Sequence, residues 1–266
     1  MACACTGNQK GNQTGEDSLG VDSAQEVMLD SVKCHLHKNL IPGQDAPSYD
    51  ITYALLAAKG DDEVSRLFNE ELARGFFGRE GISVDSAMRY QADSLATSYT
   101  ADLKEIYDQS NEDTFAFMFT YEQQADVRED SHPGIAAYTM EVTTYLGGAH
   151  GSHDYYCLNL NRHTGHAIRR ADFFQESKLA DVKHLVEQSL VKRNGCANMD
   201  QLVARTGICS LGEVYVHDDN FLLLTDSVEF IYNPYEVASW ANGTIVTRVA
   251  YSDLAPCINK EVLPQE

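Results

Sequence analysis

The chain lacks any apolar run approaching the ~18 residues that a membrane-spanning helix needs. It is also poor in positive charge: 20 Lys and Arg face 40 Asp and Glu, a formal net charge of -20. Such a surface repels nucleic-acid phosphates and anionic lipid, which sets both aside as partners. No C-x-x-C occurs, which argues against a zinc ribbon or a redox dithiol. There is no H-E-x-x-H, no G-x-S-x-G elbow, no phosphate loop and no dinucleotide fingerprint. Neither a cofactor nor a bound metal is expected.

What remains is the composition of a globular protein. The 266 residues are 43% hydrophobic, enough for one large domain or two small ones. The acidic excess serves solubility and would also attract a basic protein or a cation. Residues 1–27 read as a flexible tether. Met1-Ala2-Cys3-Ala4-Cys5 followed by a polar tract is similar to the end of a bacterial lipoprotein signal, with Cys3 or Cys5 the acylated residue. The apolar stretch that precedes such a cysteine is expected upstream. The plain alternative is a disordered tail with two incidental cysteines.

Beyond the tail stand Cys34, Cys157, Cys196, Cys209 and Cys257. Cys34 and Cys157 lie in predicted strands and read as core. Cys196 and Cys209 flank a short segment; a bridge there would contribute about 3 kcal/mol in the chain-entropy picture, and buried free thiols are the alternative.

Alternation predicts strands over 32–36 and 49–55. Val64, Leu67, Phe68, Leu72 and Phe76 follow helical spacing behind Asp61, Asp62 and Glu63, and Gly78 ends the run. A second helix runs from Met88 to Ile106, capped by Ser83 or Asp85. The β-branched and aromatic run 114–121 predicts a strand buried on both faces. Further strands are expected over 137–145 and 155–160, with a return over 166–168 after the Asn161–Gly165 turn. A third helix carries Leu179 to Leu190 and closes at Asn194-Gly195. Short strands follow around 214–216, 221–224, 228–232 and 244–249. Strands and helices are segregated and most strand connections are short. That predicts an α+β fold of antiparallel sheets with helices packed on one face, in two closely associated subdomains dividing near the polar stretch 122–134.

Three blocks carry a family resemblance: Thr143-Thr-Tyr-Leu-Gly-Gly-Ala-His150-Gly; Leu158-Asn-Leu-Asn-Arg-His-Thr-Gly165 with Ala171-Asp-Phe-Phe174; and Asn220 through Glu236, then Gly243 and Val249 through Leu254. Their order and spacing are similar to the C-terminal domain of unknown function in RsiV-type anti-sigma factors and in the PdaC deacetylase. The N-terminal half resembles the PdaC-type domain by element order alone. The resemblance implies a PdaC-like α+β domain over 28–125 and an RsiV-like α+β domain over 126–266. It implies a periplasmic or cell-surface location and a capacity to bind a protein or a cell-wall glycan, with a lysozyme-like cationic protein the concrete candidate. With no membrane span and no further catalytic domain after Leu254 in view, neither the anti-sigma role nor deacetylation is expected.

Two corners are chemically unusual: Gly147-Gly148-Ala149-His150-Gly151 and Asn233-Pro234-Tyr235-Glu236. Were His150 and Glu236 to meet, they would be a plausible general base or half a metal site. Equally, His150 can hydrogen-bond a neighbouring loop and Glu236 can cap a turn. His35 with His37, and His150 with His153, would suit zinc if assembled, but nothing in the sequence brings them together. His163 and His166 flank a turn and read as exposed. Asp226 and Glu229 fit a hairpin and a solvent face. Tyr145, Tyr155, Tyr156, Tyr232, Tyr235 and Trp240 cluster around the corners, and such side chains offer rigid contact area with a polar tip. The leading expectation is a binding surface built from Tyr145, Gly147, Gly148, His150, Tyr155, Tyr232, Tyr235, Glu236 and Trp240. The alternatives are a small hydrolase or glycan-active enzyme using His150 and Glu236, and a structural lipoprotein.

Overall fold

The computed structural model describes residues 26–107, 117–147 and 150–264. Most of the expected tether, with Cys3 and Cys5, lies outside these residues, as do Gly148 and the start of the strand predicted from Thr114. The fold is α+β, with two sheets.

The first sheet has the order β1-β2-β3-β4-β5: β1 Met28–Asn39, β2 Ser48–Lys59, β3 Met118–Val127, β4 Ile135–Tyr145 and β5 Ser152–Asn161. Between β2 and β3 the chain makes two helices, α1 Glu63–Phe77 and α2 Val84–Tyr107. Asp62 caps α1 by accepting from the Ser65 amide, and Gly78 closes it in the left-handed conformation. At α2, Ser83 supplies the cap by accepting from the Ser86 amide, while Asp85 pairs with Arg89. This helical crossover returns the chain in its original direction, so β2 and β3 pair in parallel. Here the expectation of purely antiparallel sheets is corrected; every other strand pair is antiparallel.

After β5 come α3 Arg170–Phe173, α4 Leu179–Arg193 and α5 Met199–Thr206. The second sheet follows, β6 Phe221–Leu223, β7 Ser227–Tyr232 and β8 Ile245–Ala250, and then α6 Tyr251–Leu254. Helix α4 lies along β8. Its Ser189 hydroxyl donates to the Arg248 carbonyl and Arg193 donates to the Val246 carbonyl, which covers the free edge of that strand.

Strands β4 and β5 serve two cores. Alternate side chains, Ala136, Tyr138, Met140, Leu158 and Leu160, pack with α1 and α2. The intervening Ile135, Ala137 and Cys157 pack with Phe173, Phe174, Phe221 and Phe230 on the other side. Period-two alternation in one strand pair thus partitions the molecule.

The outer edge of β5 meets no sixth strand, yet its backbone is bonded along its length. The Cys157 amide donates to the Asp219 carbonyl, the Asn159 carbonyl accepts from Ile168, and the Asn161 amide donates to the His166 carbonyl. Asn233 presents its side-chain amide to Tyr155, accepting from the backbone N–H at 2.7 Å and donating to the C=O at 2.9 Å. The buried Asn159 side chain reciprocates toward the second sheet, donating to Phe221 C=O and accepting from Leu223 N–H.

Several local expectations are corrected. In β3, Phe119, Gln123 and Ala125 are buried while Thr120, Glu122, Gln124 and Asp126 are exposed, so one face is solvated. Residues 122–127, read as polar linker, are the second half of that strand, and strands on both sides of the expected division share the sheet. The return over 166–168 reduces to one bridge between Leu160 and Ala167, because further along the outer edge of β5 the Cys157 amide donates to the Asp219 carbonyl instead. Val214 to Val216 form no strand; Val214 is buried as a loop residue. The short helix α5, with an Asn198 cap and a Gly207 stop, went unread. Cys196 and Cys209 are free thiols, as are Cys34, Cys157 and Cys257.

Replacing Asn159 by Ala should lower stability by about 2–4 kcal/mol, because a buried carbonyl and a buried amide lose their partners. A denaturant midpoint that does not move would contradict the stitching role. Cys157 gives a second expectation. Burial, reinforced by Glu229 and Asp219, pushes its thiol well above the ordinary range. Little thiolate forms at pH 8, so iodoacetamide should label Cys157 only after unfolding, as read by peptide mass.

Candidate functional site

The first corner reaches Trp240, four residues beyond the second. The turn between β4 and β5 holds Gly147 in the left-handed region at φ 81°. At Gly151 a Cβ would lie 2.8 Å from the Thr144 carbonyl oxygen, so only glycine lets the chain close there. His150 is exposed; its Nδ1 lies 2.9 Å from the Gly151 carbonyl oxygen. The imidazole stacks on the Trp240 indole with ring centres 4.5 Å apart.

Trp240 opens a 3-10 turn, Trp240–Asn242, fixed where the Asn242 amide donates to the Thr206 carbonyl at the end of α5. Asn233-Pro234-Tyr235-Glu236 forms a turn closed by the Glu236 amide donating to the Asn233 carbonyl. Proline second and a positive φ third is the type II pattern, which ordinarily calls for glycine or asparagine at the third place. Tyr235 stands there instead, at φ 72° and 63% exposed. That conformation costs roughly 1–2 kcal/mol for a residue with a Cβ.

Glu236 is committed to the turn. Its carboxylate accepts from the Asn233 amide at 2.7 Å. Burial first, then the hydrogen bond to Glu236, push the Tyr215 phenol far above its ordinary range. No hydrogen bond or ion pair joins His150 to Glu236 among the described residues, so the two do not form the acid-base couple weighed from sequence.

Tyr145 and Tyr155 flank this corner, half-buried, and Tyr155 donates to the Glu141 carboxylate. Tyr232 does not belong to the surface. It is fully buried, its hydroxyl donating to the Tyr215 carbonyl, because β7 is the central strand of its sheet and is covered on both faces. Trp240 is 38% exposed, and Leu146 adds an exposed apolar side chain at the end of β4.

Beside the corner, between β4 and β5 on one side and β7 and β8 on the other, lies a cleft of about 420 Å³. Thr139, His153, Tyr155, Glu229 and Thr244 are among its lining, and the hydroxyls of Thr139 and Thr244 are buried without a hydrogen-bond partner among the described residues. Glu229 was read as a solvent-face residue and is 5% exposed. It receives Arg128 at 2.5 Å on one oxygen and Arg248 at 2.6 Å on the other. Both arginines also reach Asp130, closing a four-membered ring of alternating charge. A carboxylate held between two guanidiniums acts as an electrostatic strut. One sequence signal could have found it: a lone acid within Ser227-Val-Glu-Phe-Ile-Tyr232 must be paired if that strand is buried on both faces.

The histidine pairs stay apart. His35 and His37, on β1 at the far edge of the sheet, both hydrogen-bond Asp50. Among the described residues, no group of three or more His, Cys, Asp or Glu side chains is placed to hold a metal ion. His166 is exposed as expected, whereas His163 is half-buried beside Glu26.

Comparison with known proteins gives a family for part of the chain. Residues 171–252 match the family described as "Protein of unknown function (DUF3298)". No curated protein matches. Among solved structures, a member of the DUF3298 family from Bacteroides fragilis NCTC 9343 superposes with a TM-score of 0.75 at 17% identity, covering 88% of this chain and 94% of that one. A DUF3298 family protein from Pseudomonas aeruginosa PAO1 superposes with a TM-score of 0.60 at 15% identity, covering 91% of this chain and 99% of that one. At these identities the likeness is one of fold, and it extends over both sheets.

Glu236→Ala should cost about 1–3 kcal/mol through the lost charge-assisted bond to the turn. His150→Ala, which removes an exposed ring stacked on another, should cost less than about 1 kcal/mol. Thermal melts of the two variants side by side would reverse the assignment if His150 proved the costlier loss.

Proposed function

We propose that this protein is a binding module of the bacterial cell envelope whose recognition surface is the corner formed by His150, Tyr235 and Trp240, flanked by Tyr145 and Tyr155. Its partner is a basic protein, with lysozyme-like cationic enzymes the leading candidate. The observation that carries the reading is the strained, outward-held Tyr235. A residue kept in the left-handed region with its ring in solvent contributes nothing to the core that would offset the strain, and strain of this kind collects at functional sites. The His150–Trp240 stack brings an aromatic pair from distant parts of the chain to the same corner. Rigid aromatic anchors of this type dominate binding energy at protein interfaces.

Charge supports the choice of partner. A net charge of -20 speeds encounter with a cationic protein and makes it salt-dependent. The envelope location, and acylation at Cys3 or Cys5, rest on the N-terminal pattern and on the resemblance to RsiV-type and PdaC-type proteins. A cell-wall glycan is the other ligand class that an aromatic corner suits.

Binding of lysozyme to the immobilised protein, followed at low and at moderate salt, tests the proposal. Affinity should fall as salt rises. Trp240→Ala should weaken binding by about tenfold or more. Tyr235→Gly should weaken it while raising the melting temperature, because glycine relieves the strain as it removes the ring. The absence of binding at both salt concentrations would remove lysozyme as the partner. Unchanged affinity in both variants would move the surface elsewhere.

A further inference from the structure

We propose that the cleft under α1 and α2, on the opposite face of β3, β4 and β5, is a binding site for a primary ammonium group carried on a short aliphatic chain. The cleft measures about 310 Å³ and is lined by side chains that include Phe76, Gln91, Tyr121, Met140, Tyr156 and Asp219. Two of its acceptors are uncommitted among the described residues. Gln91 buries its Oε1 without a hydrogen-bond partner among the described residues. The Asp219 carboxylate, at the exposed rim, forms no hydrogen bond or ion pair among them.

Two of the donors around it are engaged within the lining. Tyr121 gives its hydroxyl to the side-chain Oε1 of Gln123, a residue only 2% exposed, and the Gln123 side-chain Nε2 is turned onto the Met140 sulfur. An ammonium group has three donors and no acceptor, the complement of Gln91 Oε1 and the Asp219 carboxylate. Among the described residues, no Lys, Arg or His lines the cleft. The neighbouring Asp154, Asp219 and Glu236 add to burial in raising the Tyr156 phenol, the mark of a negative local field. The rings of Tyr121 and Tyr156 offer faces to a cation. Phe76 and Met140 offer apolar surface to an alkyl chain. An anion would meet no countercharge here, and burying Gln91 Oε1 unbonded is costly unless a donor arrives.

The inference stands apart from the Trp240 surface, since it rests on different side chains and its binding and variant tests use small amines alone. n-Pentylamine and its neutral analogue n-pentanol, titrated at pH 7 against the whole protein and followed by chemical shift, provide the probes. Pentylamine should bind and pentanol should bind at least about tenfold more weakly, the difference made by charge-assisted hydrogen bonds. Asp219→Asn, at the exposed rim, and Gln91→Leu, inside, should each weaken the amine by about tenfold. The ammonium group can come from a free amine or from a lysine of a partner, and pentylamine added to a preformed lysozyme complex separates the sources. Displacement of lysozyme assigns the site to a partner lysine, and amine binding beside undisturbed lysozyme assigns it to a free amine. Equal affinity for pentanol and pentylamine, or full amine affinity in the folded Asp219→Asn variant, would overturn the proposal. Neither result would bear on the Trp240 surface, which the Trp240 and Tyr235 variants test alone.

Discussion

The outer edge of β5 is the constraint on which the architecture rests. A terminal strand of a sheet presents a row of unpaired amides and carbonyls, and a buried row of that kind is not tolerated. This protein answers with loop backbone at Cys157, Asn159 and Asn161 and with the Asn233 side chain at Tyr155. The second sheet is thereby fastened to the first by hydrogen bonds whose geometry fixes its position. Hydrophobic packing alone would permit sliding; two asparagine amides, each acting as donor and acceptor toward a backbone, do not.

That fastening also positions the aromatic corner. Asn233, which bonds Tyr155, is the first residue of the turn that holds Tyr235 outward, so placement of the strand and presentation of the ring share one residue. The charge ring of Arg128, Asp130, Glu229 and Arg248 joins the two sheets a short way along the same interface. Such rings contribute little net stability, because desolvation offsets their attraction, but they penalise alternative registers between the sheets. Packing supplies the adhesion and the polar groups supply the alignment.

Much of this was legible in the sequence. The helices α1, α2 and α4 announced themselves through 3-4 spacing and through Gly78 and Asn194-Gly195, and the strands through alternation. What stayed hidden depends on pairing between remote segments. Glu229 looks like any alternating polar residue until β7 is known to be central and covered on both faces. Tyr232 looks like its neighbour Tyr235 for the same reason, although one is core and the other surface. The parallel pairing of β2 and β3 follows from the crossover rather than from either strand. The extended-looking Val214 to Val216 has strand propensity without a strand to pair with, and α5 is too short for its period to rise above the background.

The asparagines carry a chemical consequence for the lifetime of the protein. Spontaneous deamidation begins when the backbone nitrogen of the next residue attacks the side-chain amide, and it runs fastest before glycine. Asn233 precedes Pro234, which has no amide hydrogen and cannot close that ring. Asn159 precedes the buried Leu160 within a strand, where the required backbone geometry is denied. Both fasteners are therefore resistant to ageing. Asn242 precedes Gly243 and anchors the Trp240 turn to Thr206. Slow chemical wear would begin at Asn242 and at Asn194, which precedes Gly195 at the end of α4, while the two sheets stayed joined.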